Sequence, residues 1–516
     1  MSKNKSISAH HKFLLFSNKA IIICFSIIFA TILITLLCFS WFQYYGSKNF
    51  TLPNIVSLLI GLSFGILAYL LLRKTHFFLN PRKPQIIIFS IFFIAFIIQL
   101  IIIIFGYFYT AWDAGYINTL ADSVTNTGSL PLEDHYLSIY PNNIFIVFIL
   151  SLLKSVPFFG HHYLFLLGFN ALLVNLAGLF TCLTICKLTS PKTAILSNLI
   201  TIPLILLSPW IIIPYSDTMA IIFPILTFYI YLTMRSNYKY AIITFLSIIG
   251  YYIKPTCIIV LIAIIFIEFI HHKPKRNTYS IKNPQFVKTA ISIPFTLLLC
   301  FCIKQFSINY IDFHQASDAK PVNFVHYLAM GQNDQNSGVY LEEDIEDAKY
   351  GTLFEFKKFL RRITNRTPIE QAKFFGSKLL VNYNDGTFAW SFEGNFYSNI
   401  PDRDSPISNF LANLYYRGGA YYNVFIQTEQ IIWIFVIFGC AFLFYKHASK
   451  EATIIGLSLI GIFLFVMLFE ARARYLYCYS PFFVTAAAIG FPNFINFIKS
   501  TRSNIAAKRL AKSAKH

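Results

Sequence analysis

Four short stretches of the chain put ionisable side chains where an apolar run begins or ends. Asp113 stands in TAWDAGY, directly after a long apolar run. Asp217 opens another run in SPWIIIPYSDT, just behind Tyr215. Lys254 lies between two short apolar halves in YYIKPTC, before a proline that breaks a helix. Glu470, Arg472 and Arg474 crowd into FEARARYLYCYSP, with almost no loop between the flanking apolar runs. Ionisable residues at or inside a membrane are costly and by default mark function. Each also has a plainer reading. Asp113 can sit favourably on a helix dipole, Asp217 can cap a helix, Lys254 can snorkel, and Glu470 can pair with the arginines to fix helix ends. Taken together they suit one reaction. A carboxylate accepts a proton from an incoming hydroxyl. Cations hold a phosphate and stabilise it as it leaves, and arginine matches phosphate geometry. At headgroup level the natural anion is a lipid-linked phosphate. The chemistry this suits is transfer of a group such as a sugar, with inversion by a single base.

The elements that must position these groups are membrane helices. The chain has 516 residues, 56% hydrophobic and only 13% charged, about half the usual charged share of a soluble domain. Thirteen apolar segments lie near 20–43, 53–72, 86–108, 142–157, 162–187, 191–209, 217–234, 240–252, 255–271, 287–305, 428–446, 452–469 and 475–497. They are continuous rather than alternating, which argues for helices and against a barrel. The expected fold is an all-α polytopic membrane protein with about twelve transmembrane helices, eleven to thirteen. Its expected parts are a transmembrane module (1–305) with a first outer loop at 109–141, a mainly helical outer loop domain (306–427), C-terminal membrane helices (428–498) and a basic tail (499–516).

Charge sets the sides. The N-terminus, 73–83, 271–277, 446–450 and the tail are basic and should be cytoplasmic. That places all four constellations on the outer face, with the active site extracytoplasmic on a multi-pass cell-membrane protein. One stretch breaks the parity: two apolar segments separate Asp113 from Lys187 and Lys192, where an odd number is needed, so 142–157 or 162–187 should be re-entrant or half-length. The net charge of +19 hides a loop 306–427 that holds 14 acidic and 11 basic residues. The excess of positive charge elsewhere reads as topology signal and contact with membrane lipid, not nucleic acid. The nine cysteines suggest no disulfide framework and no metal site. The DAGYINTLADSV stretch should form a short surface helix with Asp113 in its first turn, because Tyr116/Leu120 and Ile117/Ala121/Val124 recur at helical spacing. In the long loop, NYNDGTFAWSFEGNFY mixes carboxylates with aromatics. Asp385 and Trp390 are candidates for acceptor binding there, against the alternative of a small hydrophobic cluster.

The order of these features resembles the GT-C superfamily of polyprenyl-phosphate-sugar-dependent membrane glycosyltransferases, with a protein-mannosyltransferase-like layout. WDAG follows a membrane helix, then come YLSIYPNN with Tyr140, an SP segment, IKPT, a long outer loop and E-x-R-x-R-Y. The resemblance implies that Asp113 is the catalytic base. It fits donor-phosphate binding by Lys254, Arg472 and Arg474, with Asp217, Glu470, Tyr215 and Tyr140 in support. Many members carry two acids in tandem; here the second position is Ala114. The Ile-, Phe-, Lys- and Asn-rich composition resembles bacterial proteins of AT-rich genomes, which implies an undecaprenyl-phosphate sugar donor and a polysaccharide or teichoic acid acceptor in the cell envelope. No cofactor is expected; a divalent metal shared by Asp113 and Asp217 is the open alternative. Two rivals belong to other classes, a lipid-linked glycan flippase or transporter and a surface polysaccharide polymerase or ligase. A transporter would line a midplane cavity with its polar residues; here the charges gather near one interface.

Overall fold

A computed structural model describes residues 2–41, 51–74, 83–131, 135–156, 162–271, 284–317, 319–391, 397–401, 404–445 and 448–513. All thirteen apolar runs are helical in it, and the protein is an all-α polytopic membrane protein. Among the described residues nine helices are long and apolar enough to cross a membrane, from Phe16–Cys38 to Ala473–Asn504. That is fewer than the twelve or so expected. The other four runs, Pro141–Lys154, Pro191–Leu206, Lys239–Ile253 and Pro255–His271, are shorter. Each starts at a proline or ends just before one, and at 1.5 Å per residue they extend roughly 20–26 Å, short of a ~30 Å hydrocarbon core.

The two apolar segments between Asp113 and Lys187 differ in helical length. The helix Ile144–Lys154 has 11 residues, whereas His162–Leu188 has 27. Of the two, only the second has the length and apolar composition of a membrane span.

The long loop is stitched into the bundle rather than standing as a separate unit. Residues 383–391 are buried among membrane helices. Three buried indoles mark this seam, and each finds an acceptor for its N–H, as a buried tryptophan needs. Trp210 donates to Thr387 O (3.0 Å), Trp390 to Tyr415 O (2.8 Å) and Trp433 to Tyr383 O (2.7 Å). The loop is mainly helical, as expected, with helices at Phe324–Met330, Glu342–Ala348, Thr352–Thr364, Pro368–Tyr383 and Pro406–Tyr415. It also supplies one strand. Strand β1 (Tyr109–Thr110) pairs antiparallel with β2 (Tyr397–Asn399), Tyr109 opposite Asn399. The basic tail continues the last helix, Ser480–Ser513, without a break.

Candidate functional site

The chain reaches Asp113 through a tight turn. Strand β1 ends at Thr110, Trp112 adopts a left-handed φ of 53°, and the helix Trp112–Thr127 begins there. A non-glycine residue in that region stores strain, and such residues cluster at working sites. Gly115 is required by the same turn: a Cβ there would lie 2.1 Å from Thr110 O. The helix buries Ala114, Ile117, Leu120, Ala121 and Val124, the face its spacing predicts, and packs on Ile144–Lys154. Tyr116 lies outside that face and is exposed. Lys154 ties the two helices together, donating to Asp122 (2.5 Å) and to Asn118 O (3.0 Å). Asp122 is thereby a structural partner. Glu133, Asp134 and Glu393 lie outside the described residues.

Asp113 sits in the first turn of this helix, where the helix dipole favours a negative charge. No side chain caps the helix. The Asp113 carboxyl is reachable from outside yet densely surrounded by protein. This crowding raises its pKa above the ordinary value, against the pull of Arg474, and nearby Glu470 raises it further. Tyr136 donates a hydrogen bond to it, Arg472 also draws it down, and Tyr136 in turn accepts from Asn143 (2.9 Å). Burial pushes the phenols of Tyr136 and Tyr140 up, and the Asp113 charge adds to this. Both stay neutral donors at any physiological pH.

The other predicted groups converge on the same place from three further segments. The helix Lys239–Ile253 ends at Lys254, whose backbone is extended ahead of Pro255. The Lys254 ammonium bonds Asp217 Oδ1 and lies 4.4 Å from the centre of the Tyr475 ring. Asp217 is buried, and its other oxygen is 3.8 Å from Arg474 Nε. The Arg474 guanidinium stacks 4.3 Å from the Trp112 ring, which meets Tyr215 edge-on at 5.1 Å. Trp112 therefore joins the Asp113 helix to the arginine. Glu470 accepts from Arg472 Nε (3.0 Å) and from the Tyr475 hydroxyl (2.6 Å). Burial would raise Glu470, but Arg472, Tyr475 and Arg474 outweigh it and hold the carboxyl below its usual range.

The segment carrying Glu470 and Arg472 is extended between two helices, and the long loop braces it. Ala471 N donates to Gly338 O (2.8 Å), and Gln332 Nε2 donates to Leu468 O (3.4 Å). Gly331 packs directly on Phe469, where a Cβ would come 2.4 Å from its carbonyl. The buried Lys378 closes the clasp, donating to Gly331 O and to Phe469 O (2.6 Å). Burial pushes the Lys378 ammonium down to about 7, partly offset by Glu470. A neutral amine keeps two N–H donors, which suits two carbonyls.

A stability consequence follows from that lysine. Unfolded, it keeps its proton to about 10.4. Between about 7 and 10.4 the unfolded chain binds more protons, so stability rises with pH across this window. In Lys378→Met that rise should be reduced, and two buried carbonyls lose their donor at about 1–3 kcal/mol each. Thermal unfolding of both proteins between pH 7 and 9.5 measures it. Parallel pH curves for the two would show that Lys378 is charged throughout.

Asp385 and Trp390 are not placed where an acceptor would meet them. Both are buried, and the Trp390 ring packs against Phe108 and Trp210. Asp385 accepts from Thr387 N (2.8 Å), Thr387 Oγ1 (2.7 Å), Ala389 N (2.8 Å) and Ser391 Oγ (3.2 Å). It holds a turn in which Phe388 and Ala389 both have positive φ. The carboxylate serves the backbone, and the alternative of a hydrophobic cluster describes this stretch better. The sequence reading also missed Trp112, Tyr136, Tyr475 and Lys378 as members or braces of the site. Tyr475 had a signal, as the residue after Arg474. Lys378 had a fainter one, as a lone cation in GSKLLVNY.

Comparison with known proteins adds the following. No curated protein matches the chain. Among solved structures it is similar to the archaeal oligosaccharyltransferase AglB from Archaeoglobus fulgidus, solved with an inhibitory peptide and a dolichol-phosphate. The identity is 12% and the TM-score 0.41, over 81% of this chain and 52% of the other. The chain thus spans about half the length of that protein. A family model described as conserved hypothetical integral membrane protein matches residues 13–495, and the chain belongs to that family.

Proposed function

We propose that the protein is a membrane glycosyltransferase of the GT-C type, taking a sugar from a polyprenyl-phosphate donor at the outer face of the cell membrane. The observation that carries this reading is the convergence of Lys254, Arg472 and Arg474, from distant segments, around a reachable Asp113. Asp113, Asp217 and Glu470 bring three negative charges. Lys254, Arg472 and Arg474 bring three positive ones, and Lys378 adds a fourth when protonated. With Lys378 neutral the six charges cancel; with Lys378 protonated the balance is plus one, which matches the single negative charge of a phosphodiester donor. In the reaction an acceptor hydroxyl oxygen forms a bond to the anomeric carbon and gives its proton to Asp113. The bond from that carbon to the phosphate oxygen breaks, and its electron pair stays on the polyprenyl phosphate. The phosphate gains a second charge, which Arg472, Arg474 and Lys254 neutralise. One displacement inverts the sugar. The acceptor is a cell-envelope polymer, a wall polysaccharide or teichoic acid, and the donor an undecaprenyl-phosphate sugar.

Purified protein mixed with a panel of radiolabelled polyprenyl-phosphate sugars and membrane acceptors tests this. Label should move from one donor into polymer. If no donor reacts while labelled lipid crosses the bilayer of protein-containing vesicles, the transferase reading fails and transport replaces it.

A further inference from the structure

The helix Thr352–Thr364, TLFEFKKFLRRIT, is built inside out. In a water-facing helix the apolar residues turn inward and the charges outward. Here Glu355 is 2% exposed and Lys358 is also buried, while Leu353 is 68%, Phe356 44% and Leu360 43% exposed. The inward charges are fully occupied. Glu355 pairs with His326 Nδ1 (2.7 Å), Lys358 with Asp344 and Asp347, and Arg362 with Asp344 (2.9 Å) and Ala329 O (2.6 Å). This ionic layer pins the helix to the helices Phe324–Met330 and Glu342–Ala348 and fixes which face points out. Leu353, Phe356 and Leu360 are spaced at i, i+3 and i+7, so they form one stripe. Phe324 and Tyr350, both exposed, extend it; Asn323 bonds Thr352 (2.7 Å) beside them. Lys357 and Arg361, also exposed, flank the stripe on one side.

We infer that this face of Thr352–Thr364 lies in the headgroup layer of an anionic membrane, with its apolar stripe toward the acyl chains. Two observations select this occupant. An apolar stripe edged by lysine and arginine is the pattern of an interfacial helix, whose cations meet anionic lipid headgroups. The segment is also tethered at both ends by helices long enough to span the membrane, Ile291–Tyr310 and Tyr422–Ala441, so a bilayer is always within its reach. The inference does not depend on which reaction the protein performs. It adds a second attachment of the long loop to the membrane, beyond the bundle itself.

Photocrosslinking on the full-length protein tests it. A benzoylphenylalanine replaces Phe356, or in a control Glu370, which is exposed on the next helix. Both proteins go into vesicles of phosphatidylcholine with phosphatidylglycerol. Mass spectrometry after irradiation should find phosphatidylglycerol adducts at position 356 and few at 370. In the K357E/R361E background the phosphatidylglycerol adduct at 356 should fall about thirtyfold, because the two basic side chains near an anionic surface contribute about 1 kcal/mol each. A link between two protein chains at 356 would make the face an interface between copies and overturn the inference. So would an absence of lipid adducts, or a yield that ignores the charge reversal.

Discussion

Replacing Asp113 by Asn is expected to lower transfer at least about a hundredfold while leaving donor binding within a few-fold of the wild type. Asn keeps the shape and can still accept from Tyr136, but it cannot take the acceptor's proton. In the proposed reaction the donor is held by cations that the substitution leaves in place. The pH profile adds a second signature. Only the ionised carboxylate works as a base, and crowding has raised its pKa. Wild-type activity should therefore climb with pH through that raised value, and the residual activity of Asp113→Asn should lose this limb. Asp113→Glu restores the base but displaces it by about one bond, so it should recover activity only in part. Single-turnover rates and equilibrium binding of a polyprenyl-phosphate sugar separate the two effects. A mutant that turns over at the wild-type rate would reduce Asp113 to a helix-end carboxylate.

The second large effect concerns Lys254. Its ammonium bonds the buried Asp217, whose remaining neighbour of opposite charge is Arg474 at 3.8 Å. Lys254→Met strands much of that carboxylate's charge in a poorly hydrated place, and removing one member of a buried pair costs about 3–5 kcal/mol. The unfolding midpoint in detergent should drop clearly. Lys254→Met combined with Asp217→Asn removes both charges and should recover most of the midpoint. Transfer should not recover with it, because a cation opposite the leaving phosphate is still missing. That split between stability and turnover is the informative result. If the double variant transferred sugar normally, the pair would be purely structural.

Much of the architecture was legible in the sequence because hydropathy reports which residues avoid water. Every apolar run became a helix, and the break at Lys254 and the buried face of the Asp113 helix followed from a proline and from spacing. Depth was less legible. A run such as 142–157 looks uniformly apolar, yet only 11 of its residues form the α-helix Ile144–Lys154. Long-range stitching was not legible at all. The pairing of Tyr109–Thr110 with Tyr397–Asn399 involves too few residues to leave a period-2 pattern. Asp385 and Trp390 have the composition of a sugar site, but a carboxylate that caps four backbone and hydroxyl donors has the same composition. Of the site itself, the four charged constellations were visible as charges in costly places. The aromatic parts that join them, Trp112 and Tyr475, look like ordinary interfacial aromatics until their neighbours are known.

The pairing of Asp217 with Lys254 also bears on how the chain is made. The two residues are 37 positions apart, Asp217 at the start of the candidate span Ser216–Thr233 and Lys254 just after the next helix, Lys239–Ile253. Arg474 comes 220 residues after Lys254. At about 5–20 residues per second, a ribosome needs roughly 10–40 seconds to supply it. During that interval the lysine is already at hand to neutralise the aspartate, so the growing chain need not hold a lone charge at the membrane while it waits. Arginine then arrives at a site whose charge is already balanced, and the last helices of the protein complete a centre that its middle third has made safe to insert.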